Sequence, residues 1–341
     1  MTARATIAAA LIAAAMTIPA DAQSFGDHRF QRTDDNRSLT VTSRGQIWFT
    51  DDDSDVARVE DGGRLMIEER RRGFPDRMLI ITTGRSGRQE RTYLVDGVRT
   101  EYDQRAEAWL ATLIPELARE SGIGAEERAR RILDRDGPDG LIAEAERIRS
   151  SSVRRRYLTV LLDNGRPRDA DTPRALRAVA GIGSSSEKAT LLVLAANRVP
   201  LDDPATRAAY FDAVRSISSG SELRRVLMAV LDRTPVGAPV LAEGLDASRR
   251  ISSGSERATV LVAVAGRHRL ASGPVRDAFF TAADEMSSSS ERRRVLIAVL
   301  RAPGSDEAVV RAVVRSARSI ASDSEKAAVL LEASSRSVPP S

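Results

Sequence analysis

The sequence predicts an α+β chain of two modules, mostly α: a small antiparallel β-sheet domain followed by an α-solenoid of helical hairpins. Three observations predict it. Between Ser38 and Tyr102 apolar and polar residues alternate in short runs, the period-two pattern of half-buried strands. From Ile148 onward a serine-rich joint recurs at spacings of 34, 35, 34, 35 and 34 residues, a range that belongs to stacked helical hairpins. Five of the six joints carry Ser-x-x-Glu directly before an apolar run in helical register, the signature of a helix start.

The elements follow in chain order. Residues 1–22 hold a single Arg4, an apolar run from Ile7 to Ile18, and Ala20 and Ala22 around Asp21. This is the pattern of a cleaved signal peptide, with the mature chain starting at Gln23. The run is shorter than the roughly 20 residues a membrane span requires, so no stable span is expected after cleavage and the expected location is periplasmic or secreted. An exported chain could form disulfides, yet the sequence has no cysteine, and its modules must stand on packing alone.

Residues 23–105 form the expected β-rich domain, with runs SLTVTS, QIWF, RLMIEE, RMLIITT, RTYLV and VRTEY. Arg44-Gly45, Asp61-Gly62-Gly63, the stretch from Gly84 to Gly87 and Asp96-Gly97 supply residues that tolerate positive φ in the turns between them. Five or six strands are expected, and so small a sheet needs a cover. Residues 106–120 provide it: Ala106, Trp109, Leu110, Leu113, Ile114 and Leu117 share one helical face. Trp109 is expected as a core anchor.

Residues 121–335 are expected as a right-handed α-solenoid, ahead of a short polar tail at 336–341. The joints read IRSSSVRRRYL from Ile148, IGSSSEKATLL from Ile182, ISSGSELRRVL from Ile217, ISSGSERATVL from Ile251, MSSSSERRRVL from Met286 and IASDSEKAAVL from Ile320. Taken two at a time the period is 69 residues, so the unit is a pair of non-identical hairpins. The expected capping boxes are Ser184 with Glu187, Ser219 with Glu222, Ser253 with Glu256, Ser288 with Glu291, and Ser322 with Glu325. In each, the serine hydroxyl accepts from the backbone N–H three residues on, and the glutamate reaches back to the serine N–H.

Repeats of this length resemble those of the tetratricopeptide and HEAT classes, although the W-L-G-Y pattern of the former is missing. The front segment RSLTVTSRGQIWFTDDDSDVARVEDGGRLMIEERR together with the I-x-S-x-S-E joint resembles a group of exported bacterial proteins of uncertain function. In some relatives this pair of modules follows a membrane metallopeptidase of the antibiotic-sensor type. No H-E-x-x-H occurs here, so the resemblance implies no peptidase activity.

The chemistry legible in the sequence is sparse. Fifty-two basic residues face 48 acidic ones, too interspersed for a nucleic-acid footprint. Lysine occurs only as Lys188 and Lys326, and histidine only as His28 and His268. No catalytic motif is found, and no cofactor is expected. The acidic run Asp51, Asp53 and Asp55 matches the first positions of a calcium loop, but Val56 stands where glycine is needed and Gly62 where glutamate is needed. A solvated turn between strands is the preferred reading.

Arginine pairs recur in every second joint: Arg155 and Arg156, Arg224 and Arg225, Arg293 and Arg294. As a ladder they could receive an acidic peptide or an anionic envelope polymer, because arginine forks match carboxylate and phosphate. The preferred reading is intramolecular, with Glu222 to Arg225 and Glu291 to Arg294 as i,i+3 pairs; each needs only one arginine of its pair. The function expected from this organisation is a non-catalytic scaffold or adaptor presenting an extended surface to a protein or peptide in the cell envelope. The alternatives are a sensory or regulatory module of an envelope-stress or antibiotic-response system and, third, a hydrolase.

Overall fold

The computed structural model describes residues 28–84, 87–164, 171–233, 235–270, 273–303 and 305–337. The expected signal peptide and most of the polar tail lie outside them. Eight strands come first: β1 (His28–Thr33), β2 (Arg37–Arg44), β3 (Ile47–Phe49), β4 (Val56–Val59), β5 (Arg64–Arg71), β6 (Arg77–Thr83), β7 (Gln89–Val95) and β8 (Val98–Thr100). Six make one antiparallel sheet in the order β1-β2-β5-β6-β7-β8, while β3 and β4 form a separate hairpin. The expected turn at Arg44-Gly45 therefore does not fold QIWF back onto β2. It sends the chain out into the β3–β4 excursion, and β2 pairs instead with β5. Gly45, at φ 80°, supplies the left-handed step, and Gly62 and Gly97 do the same at the later turns.

Pleating sends Leu39, Val41, Leu65, Ile67, Leu79, Ile81 and Tyr93 to one face of the sheet, where they are buried. Helix α1 (Gln104–Glu120) covers that face with the residues its periodicity marks. The β3–β4 hairpin adds Ile47, Phe49, Val56 and Val59 to the same core. Trp109 is 5% exposed, lies 5.6 Å from the Tyr93 ring and donates its indole N–H to Glu69 at 2.6 Å. Glu69 also accepts from Arg37 at 2.5 Å, and Arg37 reaches Glu116 of α1 at 2.7 Å. A buried indole with a partnered N–H is an anchor, as expected.

Helix α2 (Ala125–Arg147) is broken at Gly137, whose φ of 69° and ψ of −171° interrupt it ahead of Pro138. The chain divides near this break. One compact unit runs through Arg135 and takes up Arg147–Arg156; the other comprises Asp136–Glu146 and everything from Tyr157. The unit built on the sheet thus extends past the expected boundary at 120, because the first half of α2 is tied to the β3–β4 turn through the contacts described below.

The remaining helices are α3 (Ser151–Asn164), α4 (Thr172–Ala180), α5 (Ser185–Ala196), α6 (Pro204–Arg215), α7 (Gly220–Leu231), α8 (Ala238–Ser248), α9 (Gly254–Arg267), α10 (Pro274–Asp284), α11 (Ser289–Arg301), α12 (Glu307–Ala317) and α13 (Asp323–Ser337). From α4 onward they pack as two layers. Helices α4, α6, α8, α10 and α12 stack on one another, as do α5, α7, α9, α11 and α13. One hairpin cannot bury both its faces, whereas stacked hairpins share a core. Val226, Leu227, Val230 and Leu231 of α7 are buried, and so are Val260, Leu261, Val264 and Ala265 of α9 and Val295, Leu296, Val299 and Leu300 of α11.

The 69-residue period is visible in side chains. Tyr210 and Phe211 of α6 meet edge to face at 5.5 Å, and Phe279 and Phe280 of α10 repeat the arrangement at 5.6 Å. Prolines open α6 and α10 at their first positions, where the missing N–H would have no intrahelical partner anyway.

Candidate functional site

The serine joints resolve first. Ser184, Ser219, Ser253 and Ser288 sit at the N-caps of α5, α7, α9 and α11 with extended backbone. Their hydroxyls accept from the N–H of Glu187, Glu222, Glu256 and Glu291 at 3.3–3.5 Å. Ser322 does the same for Glu325 at 3.4 Å. The serine two residues after each cap bonds the cap serine, as Ser221 with Ser219 at 3.1 Å and Ser255 with Ser253 at 3.2 Å. The serines are caps.

The glutamate half of the expected capping box is different. Glu222 accepts from Arg225, Glu291 and Glu325 lie at ion-pair distance from Arg294 and Arg293, and Glu256 stands 4.0 Å from Arg224. A guanidinium attracts a carboxylate more strongly than a backbone N–H does.

Joints also stack on their neighbours. Ser185 accepts from the Ser218 N–H at 3.2 Å, and Ser289 from that of Ser322 at 3.3 Å. At the same register the ISSGSE joint has glycine. A Cβ on Gly220 would stand 3.1 Å from a carboxylate oxygen of Glu256 in the next joint, so glycine is what lets that glutamate lie close.

The arginine ladder is spent inside the molecule. Arg225 bonds Glu222 at 2.8 Å and reaches Thr190 of the preceding hairpin at 3.2 Å. Arg294 repeats both contacts, to Glu291 at 2.9 Å and Thr259 at 3.1 Å. The other member of each pair, which the sequence leaves without a use, crosses forward: Arg224 approaches Glu256 at 4.0 Å and Arg293 pairs with Glu325. At the first joint Arg156 donates to the Gly122 carbonyl at 2.9 Å, and Arg155 is also engaged.

A register that sequence reasoning passed over lies six residues after each joint isoleucine or methionine. It holds Arg154, Lys188, Leu223, Arg257, Arg292 and Lys326. Lys188 is 6% exposed and Arg292 4%. Lys188 donates to the Ser216 carbonyl at 2.8 Å and the Ala180 carbonyl at 3.4 Å, the C-terminal ends of α6 and α4. Burial pushes its pKa below 10.5. Arg292 donates to the Ser316 carbonyl at 2.7 Å, the Ser319 hydroxyl at 2.6 Å and Asp284 at 2.5 Å. Arg257 donates to the Ile251 carbonyl at 2.9 Å. Cations at helix C-termini satisfy orphan carbonyls and oppose the macrodipole. The available signal was that both lysines of the chain fall at this one register.

The acidic turn between β3 and β4 is likewise committed. Asp53, in left-handed backbone at φ 55°, takes Arg128 at 2.7 Å and Arg131 at 2.9 Å from α2. Asp55 takes Arg91 at 3.0 Å, and Asp51 has Arg131 at 3.5 Å. Asp52, outside the calcium-like pattern, is held at about 2 by hydrogen bonds from Thr50 and Ser54. With Asp51, Asp53 and Asp55 each answered by a guanidinium, the turn is an anchor for α2. His268 places its Nε2 3.1 Å from the Leu231 carbonyl, and His28 stands exposed in β1.

One group of arginines stands apart. Helices α11 and α12, with Arg336 of α13, line a half-open cleft of about 980 Å³, where Arg301, Arg311, Arg315, Arg318 and Arg336 surround half-buried Val310 and Val314. Arg301 is held by Glu332 at 3.0 Å and Arg311 by Glu307 at 2.6 Å. Among the described residues Arg315, Arg318 and Arg336 bond no carboxylate; Arg336 only helps Arg301 hold Glu332 below its ordinary range.

Compared with protein-family models, curated proteins and solved structures, the chain finds no match.

Proposed function

We propose that the chain is an exported, non-catalytic scaffold or adaptor, akin to the β-plus-solenoid proteins its joints resemble, which binds a protein or peptide partner in the cell envelope. The observation that carries this reading is the two-layer stack of α4 to α13. Such an array builds an extended binding surface from repetition and needs no single deep pocket. The inference runs from architecture to function by analogy. The arrangement of charge supports it: ladder and joint arginines serve the stack, while Arg315, Arg318 and Arg336 in the cleft bond no carboxylate among the described residues. The test is gentle crosslinking of the purified mature chain in envelope extract, followed by mass spectrometry. The expected result is a partner retained in constant ratio to the chain; retention of none contradicts the reading.

A further inference from the structure

We propose that the cleft between α11, α12 and α13 docks an acidic peptide segment of a partner protein, its carboxylates received by Arg315, Arg318 and Arg336. The proposal rests on the scaffold reading and names the chemistry of the partner.

The argument begins with register. The residues two and five before each joint isoleucine are one turn apart at the end of the preceding helix; in α4 they are Ala180 and Arg177. In α6 they are Arg215 and Asp212, paired at 2.9 Å. In α8 they are Arg249 and Asp246, paired at 2.8 Å, and Arg249 also takes Glu285 of the next hairpin at 2.6 Å. In α12 the same positions are Arg318 and Arg315. The helix C-terminus explains a cation at Arg318. A last-turn cation at Arg315 suits it too, and Arg177 holds that place in α4, but only in α12 are both positions cationic, with no aspartate one turn from Arg318.

The second observation is what surrounds them. Arg336 comes from α13 into the same cleft, and Val310 and Val314 offer an apolar strip alongside. Guanidinium forks matched to carboxylates, beside a strip for aliphatic side chains, suit a segment that mixes glutamate or aspartate with apolar residues. Asp306 and Glu307, on the same wall, would repel that segment and so bias its direction.

The experiment measures fluorescence anisotropy of a labelled peptide of alternating glutamate and leucine, titrated with the full mature chain. Expected are saturable binding that weakens with added salt and no binding of the lysine–leucine counterpart. Arg315→Glu/Arg318→Glu should weaken binding roughly tenfold or more. Arg177→Glu/Arg250→Glu, the same charge change at exposed arginines outside the cleft, should leave it within about twofold, since exposed charges separated by more than a Debye length are screened. Circular dichroism checks that both fold; Arg315→Asp, which restores the α6 and α8 pairing, serves where the double reversal does not.

Equal loss in both double variants, no binding of the acidic peptide, or binding to anionic lipid vesicles that the peptide does not compete away would each overturn the proposal. If the native chain and Arg315→Glu/Arg318→Glu retain the same crosslinked partner equally, the cleft assignment falls and the scaffold reading stands. If the peptide binds as expected but no partner is retained, the scaffold reading falls alone.

Discussion

The ends of α8 and α12 occupy equivalent places in the repeat and use arginine in opposite ways. Arg249 is closed off by Asp246 one turn back and by Glu285 in the next hairpin, and it holds the Glu285 carboxyl below its ordinary range. Arg318 faces Arg315 instead and bonds no carboxylate among the described residues. The difference teaches that abundance of arginine says little by itself. What decides between mortar and binding surface is whether an acid stands one turn or one repeat away.

That contrast orders the expected effects of substitution, from arginines gripped inside the stack to arginines left outside it. Arg292→Leu should cost most, about 2–4 kcal/mol in urea unfolding. It strips donors from the Ser316 carbonyl and from Asp284 in a buried setting. An effect under about 0.5 kcal/mol, the scale of an ordinary surface substitution, would show that the grip is incidental.

Lys188→Leu copies what the third joint already has in Leu223, so a smaller loss of about 1–2 kcal/mol is expected at neutral pH. Its pH dependence is diagnostic. Folded Lys188 loses its proton below 10.5, so between that folded value and 10.5 the unfolded chain binds more protons than the folded one. Native stability relative to Lys188→Leu therefore rises as pH climbs through this window and is flat below it. A difference that falls with alkaline pH would contradict the burial of the ammonium.

Ser253→Ala removes one cap and should cost about 1 kcal/mol, read as a lowered urea midpoint. Glu256 makes only a 4.0 Å approach to Arg224, so Glu256→Ala is expected to be milder. Arg315→Asp should change stability least, by under about 0.5 kcal/mol, because the like-charge pair it removes and the Asp–Arg pair it creates are offset by the loss of a last-turn cation. A larger loss would mean that Arg315 already has a stabilising role in the helix.

The expected antiparallel sheet, the helix that covers it and the helical hairpins were legible because their signals are local. Alternation in SLTVTS and RMLIITT, the face of α1 and the Ser-x-x-Glu joints each lie within a few residues. Strand β1 was not legible: HRFQRT is almost wholly exposed at the sheet edge and carries no alternation. Strand β4, VARV, was hidden because it pairs only with β3.

The candidate site was harder still. The caps could be read, but the competitor for their glutamates is decided by packing between hairpins. Arg293 and Glu325 stand 32 residues apart, and Arg225 and Thr190 35. The cleft arginines come from three helices and look in sequence like all the others. Comparing equivalent registers across hairpins, rather than reading each hairpin alone, is the step that sets Arg315 and Arg318 apart as a pair.

The central claim is that ladder arginines are occupied, whereas Arg315, Arg318 and Arg336 of the cleft bond no carboxylate among the described residues. Timed modification of the native chain with phenylglyoxal, mapped by peptide mass spectrometry, tests it most directly. Ladder residues Arg225 and Arg294 have side chains 44% and 46% exposed, so exposure alone gives them no protection. The account predicts that Arg315, Arg318 and Arg336 react well before Arg225, Arg293 and Arg294. Equal rates across the two groups, or faster reaction in the ladder, would contradict it.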